Sequence, residues 1–121
     1  MGYNQRTGIG YGRGSLYVHG MSGIQSIQYQ HQAISEFAGE RGISIIQRYQ
    51  DDGGSGREDC RRVLQRMLVD VQANDRPVDY LFFYSVRGLA GELEGNLSIV
   101  TEISDYINIV YSVSEQFTFH A

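Results

Sequence analysis

The stretch Gly10-Tyr11-Gly12-Arg13-Gly14-Ser15 decides the expected fold. Ile9 and Tyr11 alternate with glycines, and alternation with period two predicts a strand whose two faces differ. Arg13 and Ser15 are two residues apart, so they point to the same face near the C-terminal end of this strand. Open α/β sheets carry their functional residues at that end. The simpler alternative is a glycine-rich edge strand whose serine only caps the following helix.

Strand and helix patterns alternate along the rest of the chain. Residues 1–7 show no period and are expected to be a flexible N-terminus. The predicted elements are a helix over 26–41 capped by Ser26, a strand over 43–49 with no exposed face, a helix over 58–71, a strand over 79–84, a helix over 93–104, a strand over 107–113 and a short strand over 117–119. This order predicts a three-layer α/β domain with a mainly parallel sheet of four to five strands flanked by helices.

The composition limits the possible classes of protein. The 121 residues carry a net charge of −4 and are enough for one domain with a core. Cys60 is the only cysteine, which excludes an internal disulfide and favours a reducing cytoplasm. We interpret it as a bystander on its helix. No apolar stretch could span a membrane. The three histidines lie far apart, and we expect neither a metal nor a small-molecule cofactor.

Arginine supplies all ten basic residues, and the last of them is Arg87. The planar guanidinium binds two phosphate oxygens at once, so arginine is the better phosphate ligand. Four arginines open the second predicted helix beside the glycine-rich loop 51–56: Arg57, Arg61, Arg62 and Arg66. They form either a solvated helix face or an anion site. The absence of lysine excludes a Walker-type phosphate loop.

Three loops follow the C-terminal ends of consecutive predicted strands. The first contains Arg13 and Ser15, the second runs from Asp52 through Ser55 towards Arg61, and the third covers residues 85–91. A serine hydroxyl among guanidinium groups suits attack on a phosphate. None of the three loops contains a histidine, so a Ser-His-Asp triad has no support.

Five short motifs in these segments resemble one family. They are Tyr11-x-Arg13-x-Ser15, then Gln25, Ser26-Ile27-x-x-Gln30, Asp52-x-x-Ser55-Gly56 and Arg61-x-x-Leu64-x-x-Met67-Leu68. In this order they resemble the catalytic domain of serine site-specific recombinases, the resolvase/invertase family, over residues 8–119. The long loop between Ser15 and Gln25 is similar to that of the large recombinase branch.

The resemblance implies a reaction and a set of roles. Ser15 would attack a DNA phosphodiester and form a covalent 5′-phosphoserine. Arg13 and Arg61 would hold the non-bridging oxygens of the phosphate. The residues that position the nucleophile would be Gln30, Asp52 and Ser55. The secondary members of the site would be Tyr11, Gln25 and Arg87. DNA is the implied partner, and the full-length protein would form a homodimer or tetramer.

The third loop departs from the family pattern. The family's Asp-Arg-Leu-x-Arg motif corresponds to Arg87-Gly88-Leu89-Ala90-Gly91, so both of its arginines are glycines here. This change implies weak or absent cleavage by residues 8–121, which would be a catalytic domain lacking the dimerisation helix and DNA-binding domain. Two alternatives stay open: a catalytically silent interaction or regulatory module of the same fold, and a small phosphate- or nucleotide-binding α/β domain.

Overall fold

The fold is built around a mixed five-stranded sheet. The computed structural model describes residues 5–54 and 56–119. Within these ranges the elements are β1 Arg6–Arg13, α1 Gly23–Glu40, β2 Ile43–Asp51, α2 Arg57–Ala73, β3 Val78–Phe83, α3 Ala90–Glu94, α4 Leu97–Ser104, β4 Ile107–Ser112 and β5 Phe117–Phe119. The strand order is β2-β1-β3-β4-β5, with β5 antiparallel to β4 and the other pairs parallel. The predicted α/β class is confirmed.

The two faces of β1 carry different layers, as the period-two pattern predicts. Ile9 and Tyr11 join the larger core cluster, which α2, α3 and α4 cover. On the opposite face, a Cβ atom at Gly12 would lie 2.9 Å from Nε2 of His31 in α1. The glycines therefore allow α1 to lie directly on the strand. No helix in the described part of the chain is long and apolar enough to cross a membrane.

Two helix predictions were wrong in detail. α1 begins at Gly23, with Ser22 in the N-cap position, so Ser26 is inside the helix and does not cap it. The predicted helix over 93–104 is two helices, because the chain breaks at Gly95 and Asn96. The side-chain amide of Asn96 donates to the main-chain oxygen of Glu92 at 2.9 Å, which closes the end of α3.

Two strand predictions also need correction. β2 lies at the edge of the sheet, and Ile46 in its middle is 45% exposed, so this strand is not buried on both faces. β1 begins at Arg6, within the segment that we expected to be flexible. The main-chain N–H of Thr7 donates to Asp79 at 2.9 Å and fixes that end of the strand. Residues 1–4 lie outside the described ranges.

Candidate active site

The ends of β1 and β2 contact each other and form the floor of the site. The main-chain N–H of Leu16 donates to the oxygen of Arg13 at 3.2 Å, which closes a turn around Ser15. The N–H of Gly14 donates to the oxygen of Asp51 at 2.7 Å and ties this turn to β2. The first two predicted loops therefore meet.

The Arg13 guanidinium connects these loops to the start of α2. Its Nε donates to the Ser15 Oγ at 2.9 Å, Nη1 donates to Asp51 at 2.5 Å, and Nη2 donates to the main-chain oxygen of Gly56 at 3.0 Å. The side chains of Arg13 and Asp51 are 1% and 0% exposed, whereas Ser15 is exposed. The structure thus presents a surface hydroxyl on a buried ion pair.

Tyr11 and Cys60 pack around the buried carboxylate. The Tyr11 hydroxyl donates a short hydrogen bond to Asp51. Burial, followed by the influence of Cys60 and Asp51, raises the pKa of Tyr11, so this phenol stays protonated as a donor. Burial also raises the pKa of the Cys60 thiol, which makes it a packed side chain and not a reactive one.

Gln30 of α1 binds the main chain of Arg13 on both sides. The Arg13 N–H donates to Oε1 of Gln30 at 2.9 Å, and Nε2 of Gln30 donates to the Arg13 oxygen at 2.8 Å. Nε2 also donates to the Ser26 Oγ, whose hydroxyl donates to the oxygen of Leu16. Both helical side chains therefore hold the turn that carries Ser15.

Gly53 packs directly against the nucleophile candidate. Its φ of +80° lies in the left-handed region, and a Cβ there would be 2.5 Å from the Ser15 Oγ. Its N–H donates to Oδ1 of Asp51 at 2.9 Å. Glycine is required at this position both for the backbone conformation and for the space that Ser15 occupies.

Comparison with known proteins identifies the family of this chain. A family model described as the resolvase N-terminal domain matches residues 8–120. The chain belongs to the resolvase N-terminal domain family. No curated protein matches it.

Two solved structures are similar to this resolvase-family domain. The N-terminal catalytic domain of TP901-1 integrase superposes with a TM-score of 0.71 at 23% identity, over 93% of this chain and 82% of that one. A resolvase family site-specific recombinase from Streptococcus pneumoniae superposes with a TM-score of 0.64 at 20% identity, over 93% of this chain and 75% of that one. At these identities the similarity establishes the fold.

The structure brings together only part of the predicted site. Ser15, Arg13 and Gln30 lie in one hydrogen-bonded group with Tyr11. Gln25, Arg61 and Arg87 are exposed, and in the described part of the chain no hydrogen bond or ion pair joins their side chains to this group. Ser55 lies outside the described residues.

The carboxylate that contacts Arg13 belongs to Asp51, whereas the neighbouring Asp52 is exposed. The choice of Asp52 as the positioning carboxylate therefore needs correction. Asp51 is the last residue of β2 and pairs in register with Arg13. It shares the inward face of β2 with buried Tyr49, two residues earlier. This alternation was the signal in the sequence that could have identified Asp51.

The arginines at the start of α2 do not form a simple cationic patch. Arg62 forms an ion pair with Asp59. A cleft of about 250 Å³ beside them is lined by Asp51, Asp52 and Asp59 together with Arg62 and Arg66. Three carboxylates against two guanidinium groups favour the interpretation of Arg62 and Arg66 as part of a solvated face. Among the described residues, no group of three or more His, Cys, Asp or Glu side chains is placed so that it could hold a metal ion.

The third loop places a carboxylate next to Arg13. Oε1 of Glu92, in the first turn of α3, lies 4.0 Å from Nη2 of Arg13. A Cβ at Gly91 would meet no atom within 4 Å, whereas one at Gly88 would lie 2.4 Å from the tip of the Leu16 side chain. The third loop thus lies beside the site. It brings the carboxylate of Glu92 to Arg13, whereas the family motif would supply arginines at positions 88 and 91.

Glu115 fixes the beginning of the third loop. It accepts hydrogen bonds from the Ser85 hydroxyl at 2.7 Å, from the main-chain N–H of Val86 at 3.0 Å and from the Ser112 hydroxyl. Partial burial alone would raise the pKa of Glu115, but the donors from Ser112, Ser85 and the loop main chain outweigh it and lower the pKa below 4.5. The ionised carboxylate is therefore the form that holds the loop.

We predict that Asp51→Asn and Asp52→Asn differ sharply in stability. Asp51→Asn leaves the Arg13 guanidinium buried without a counter-charge, which costs about 3–5 kcal/mol. Asp52→Asn changes an exposed side chain and should alter the free energy of unfolding by at most about 0.5 kcal/mol. Urea denaturation of both variants measures the difference. Equal effects would contradict the assignment of Asp51 as the partner of Arg13.

We also predict a pH-dependent cost for Glu115→Gln. Because the folded-state pKa of Glu115 is depressed, its contribution to stability is complete above the unfolded-state value near 4.5 and disappears as pH falls through the folded-state pKa. The variant should lose about 1 kcal/mol at pH 7, and this loss should become smaller as pH falls below 4.5. Urea denaturation at pH 7 and at a series of acidic pH values tests this, with Glu94→Gln at an exposed position of α3 as the control. A cost that does not change with pH would argue against the ionised anchor.

Proposed function

We propose that this chain is the catalytic domain of a serine site-specific DNA recombinase, with Ser15 as nucleophile. The hydrogen bond from Arg13 Nε to the Ser15 Oγ, with Asp51 behind the guanidinium, is the observation that carries the proposal. Membership of the resolvase N-terminal domain family supports it, and the solved structures of similar fold are an integrase catalytic domain and a site-specific recombinase.

The proposed reaction is a transfer of one phosphoester bond. The Ser15 Oγ attacks a DNA phosphorus, the Oγ–P bond forms, and the bond from phosphorus to the 3′ oxygen breaks. The serine hydroxyl loses its proton and the leaving 3′ oxygen gains one, which leaves a 5′-phosphoserine and a free 3′-hydroxyl. Because one phosphoester replaces another, the bond energy is retained for rejoining to a second strand.

The burial of Arg13 determines its proposed role. A side chain that is 1% exposed cannot meet a DNA phosphate without rearrangement, but it already donates to the Ser15 oxygen. A cationic donor stabilises the alkoxide over the hydroxyl and thus favours attack. We assign Arg13 and Asp51 to organising the nucleophile, and the exposed Arg61 to holding the non-bridging oxygens.

The charge around the site favours weak cleavage and supports a second candidate. One guanidinium, that of Arg13, faces the two carboxylates of Asp51 and Glu92. A phosphate approaching Ser15 would add further negative charge, and Gly88 and Gly91 provide no side chain to compensate it. This balance favours a catalytically silent domain of the same fold that acts through assembly with an active recombinase. DNA as substrate and a dimer or tetramer of the full-length protein belong to both proposals.

We predict a covalent DNA adduct that depends on Ser15. Random-sequence duplexes with 3′-bridging phosphorothiolate links trap the adduct, since the sulfur leaves without help and does not rejoin. Denaturing electrophoresis and peptide mass spectrometry should locate the adduct on Ser15. Ser15→Ala should abolish it, and Ser22→Ala, in the same loop, should leave it unchanged. DNA binding without any adduct would select the silent candidate, and an adduct in Ser15→Ala would overturn the assignment.

We further predict that Gly91→Arg increases the rate of adduct formation. The position is open, and one preorganised cationic donor is worth about 10²–10³ in rate. Ala90→Arg is the matched control, because it adds the same charge one exposed residue earlier in α3. Rates come from quenched time courses on the trapping substrate. An equal gain in both variants would indicate general attraction of DNA, and no gain in Gly91→Arg would contradict the proposed orientation of the third loop.

A further inference from the structure

Tyr17 is an exposed aromatic residue close to the nucleophile candidate. Its side chain is 74% exposed, the largest exposed fraction among the large apolar side chains that the structure describes. Its neighbours Leu16 and Val18 are half-buried and buried. The alternation turns Tyr17 outward while the residues beside it anchor the loop.

The loop that carries Tyr17 is held in one conformation by several contacts. Val18 and Met21 exchange both main-chain hydrogen bonds, at 3.1 and 2.9 Å. The two residues between them, His19 and Gly20, have φ values of 52° and 80°, as in a type I′ turn. Nε2 of His19 lies 3.0 Å from the Tyr29 hydroxyl of α1. An aromatic ring on such a support loses little entropy when it binds a ligand.

The segment that carries Tyr17 contains no charged side chain that could bind a phosphate. Residues 14–35 contain no Asp, Glu, Lys or Arg, although a fifth of the chain is charged. Ile24, at the beginning of α1, adds a second apolar side chain that is 58% exposed. An exposed aromatic ring in such a segment can stack on the face of a base, which requires no charged group.

The distance along the chain suits a neighbouring nucleotide. Two residues span at most about 7 Å between Cα atoms, which is comparable to one nucleotide step of an extended strand. We propose that Tyr17 stacks on the nucleobase next to the phosphate that Ser15 contacts. This inference rests on the proposed function, because it takes DNA as the ligand, and it adds a base-contacting residue outside the group around Arg13.

The test uses short single-stranded oligonucleotides that contain 2-aminopurine, whose fluorescence falls when an aromatic ring stacks on it. The intact chain is titrated at low salt, where phosphate contacts are strongest. Tyr17→Ala should weaken binding by about 5- to 150-fold, the equivalent of the ~1–3 kcal/mol measured for base–aromatic stacking, and should abolish the quenching. Tyr17→Phe should retain both. The matched control is Tyr106→Ala, because this exposed tyrosine precedes β4 and lies at the end of the parallel strands opposite to Ser15.

An oligonucleotide of the same length in which every residue is abasic completes the design. Parent protein and Tyr17→Ala should bind it with equal affinity, since no base remains to stack. Equal quenching and affinity of the two proteins on the 2-aminopurine oligonucleotide would overturn the inference. So would a Tyr17→Ala variant that loses only self-association in sedimentation, because the surface would then contact a second copy.

The proposed reaction and the stacking inference can fail separately. Tyr17-dependent quenching without a Ser15 adduct on the trapping substrate would support stacking and reject cleavage. An adduct that forms equally well in Tyr17→Ala, with unchanged quenching, would support cleavage and reject stacking. A parent protein that binds no oligonucleotide would reject both.

Discussion

A buried ion pair between Arg13 and Asp51 is the interaction on which the site depends. Removing two charges from water costs several kcal/mol per ion, and their attraction offsets this only when the remaining hydrogen-bonding groups are satisfied. Here the Tyr11 hydroxyl and the main-chain N–H of Gly53 donate to the carboxylate, while the Gly56 oxygen accepts from the guanidinium. Since these groups come from β1, β2 and the start of α2, the pair fixes three segments and the oxygen of Ser15 together.

The glycine pattern of β1 is part of the same arrangement. Gln30 can bind the main chain of Arg13 on both sides only if α1 lies close to the strand. A side chain at Gly12 would push His31 and the helix away. The residues that make β1 recognisable as a strand with two different faces therefore also bring the helical amide to the turn around Ser15.

The fold could be predicted because its signals are periodic and local. Alternation in β1, the apolar run that became β3 and the helix patterns between them give the order of a parallel α/β sheet. Helical periodicity did not show the break at Gly95, because Leu93 and Val100 keep the same spacing on either side of it. The edge position of β2 depends on the order of the strands in the sheet. The residue pattern of a single strand does not predict that order.

Of the residues predicted for the site, Ser15, Arg13 and Gln30 lie together in the structure, whereas the carboxylate beside Arg13 belongs to Asp51. Asp51 and Asp52 are adjacent, and distance along the chain from Gly56 does not decide which of them is buried. The alternation of side chains along β2 decides which aspartate is buried. Asp51 and Tyr49 face inward, so the next residue, Asp52, must face outward. The motif spacing favoured the wrong aspartate because it ignored this alternation.

The position of Glu92 is the reason for proposing separate roles for the buried Arg13 and the exposed Arg61. A guanidinium that is buried and shared by two carboxylates already has its charge compensated, so little attraction for an incoming phosphate remains. It can still orient and polarise the Ser15 hydroxyl, because that requires only the hydrogen bond that Nε donates to the Ser15 Oγ. In the proposed reaction, the positive charge for the phosphoryl transition state would then come from exposed groups, and we assign this role to Arg61 on α2. The proposed division between a buried arginine that prepares the nucleophile and an exposed one that meets the phosphate follows from this electrostatic constraint.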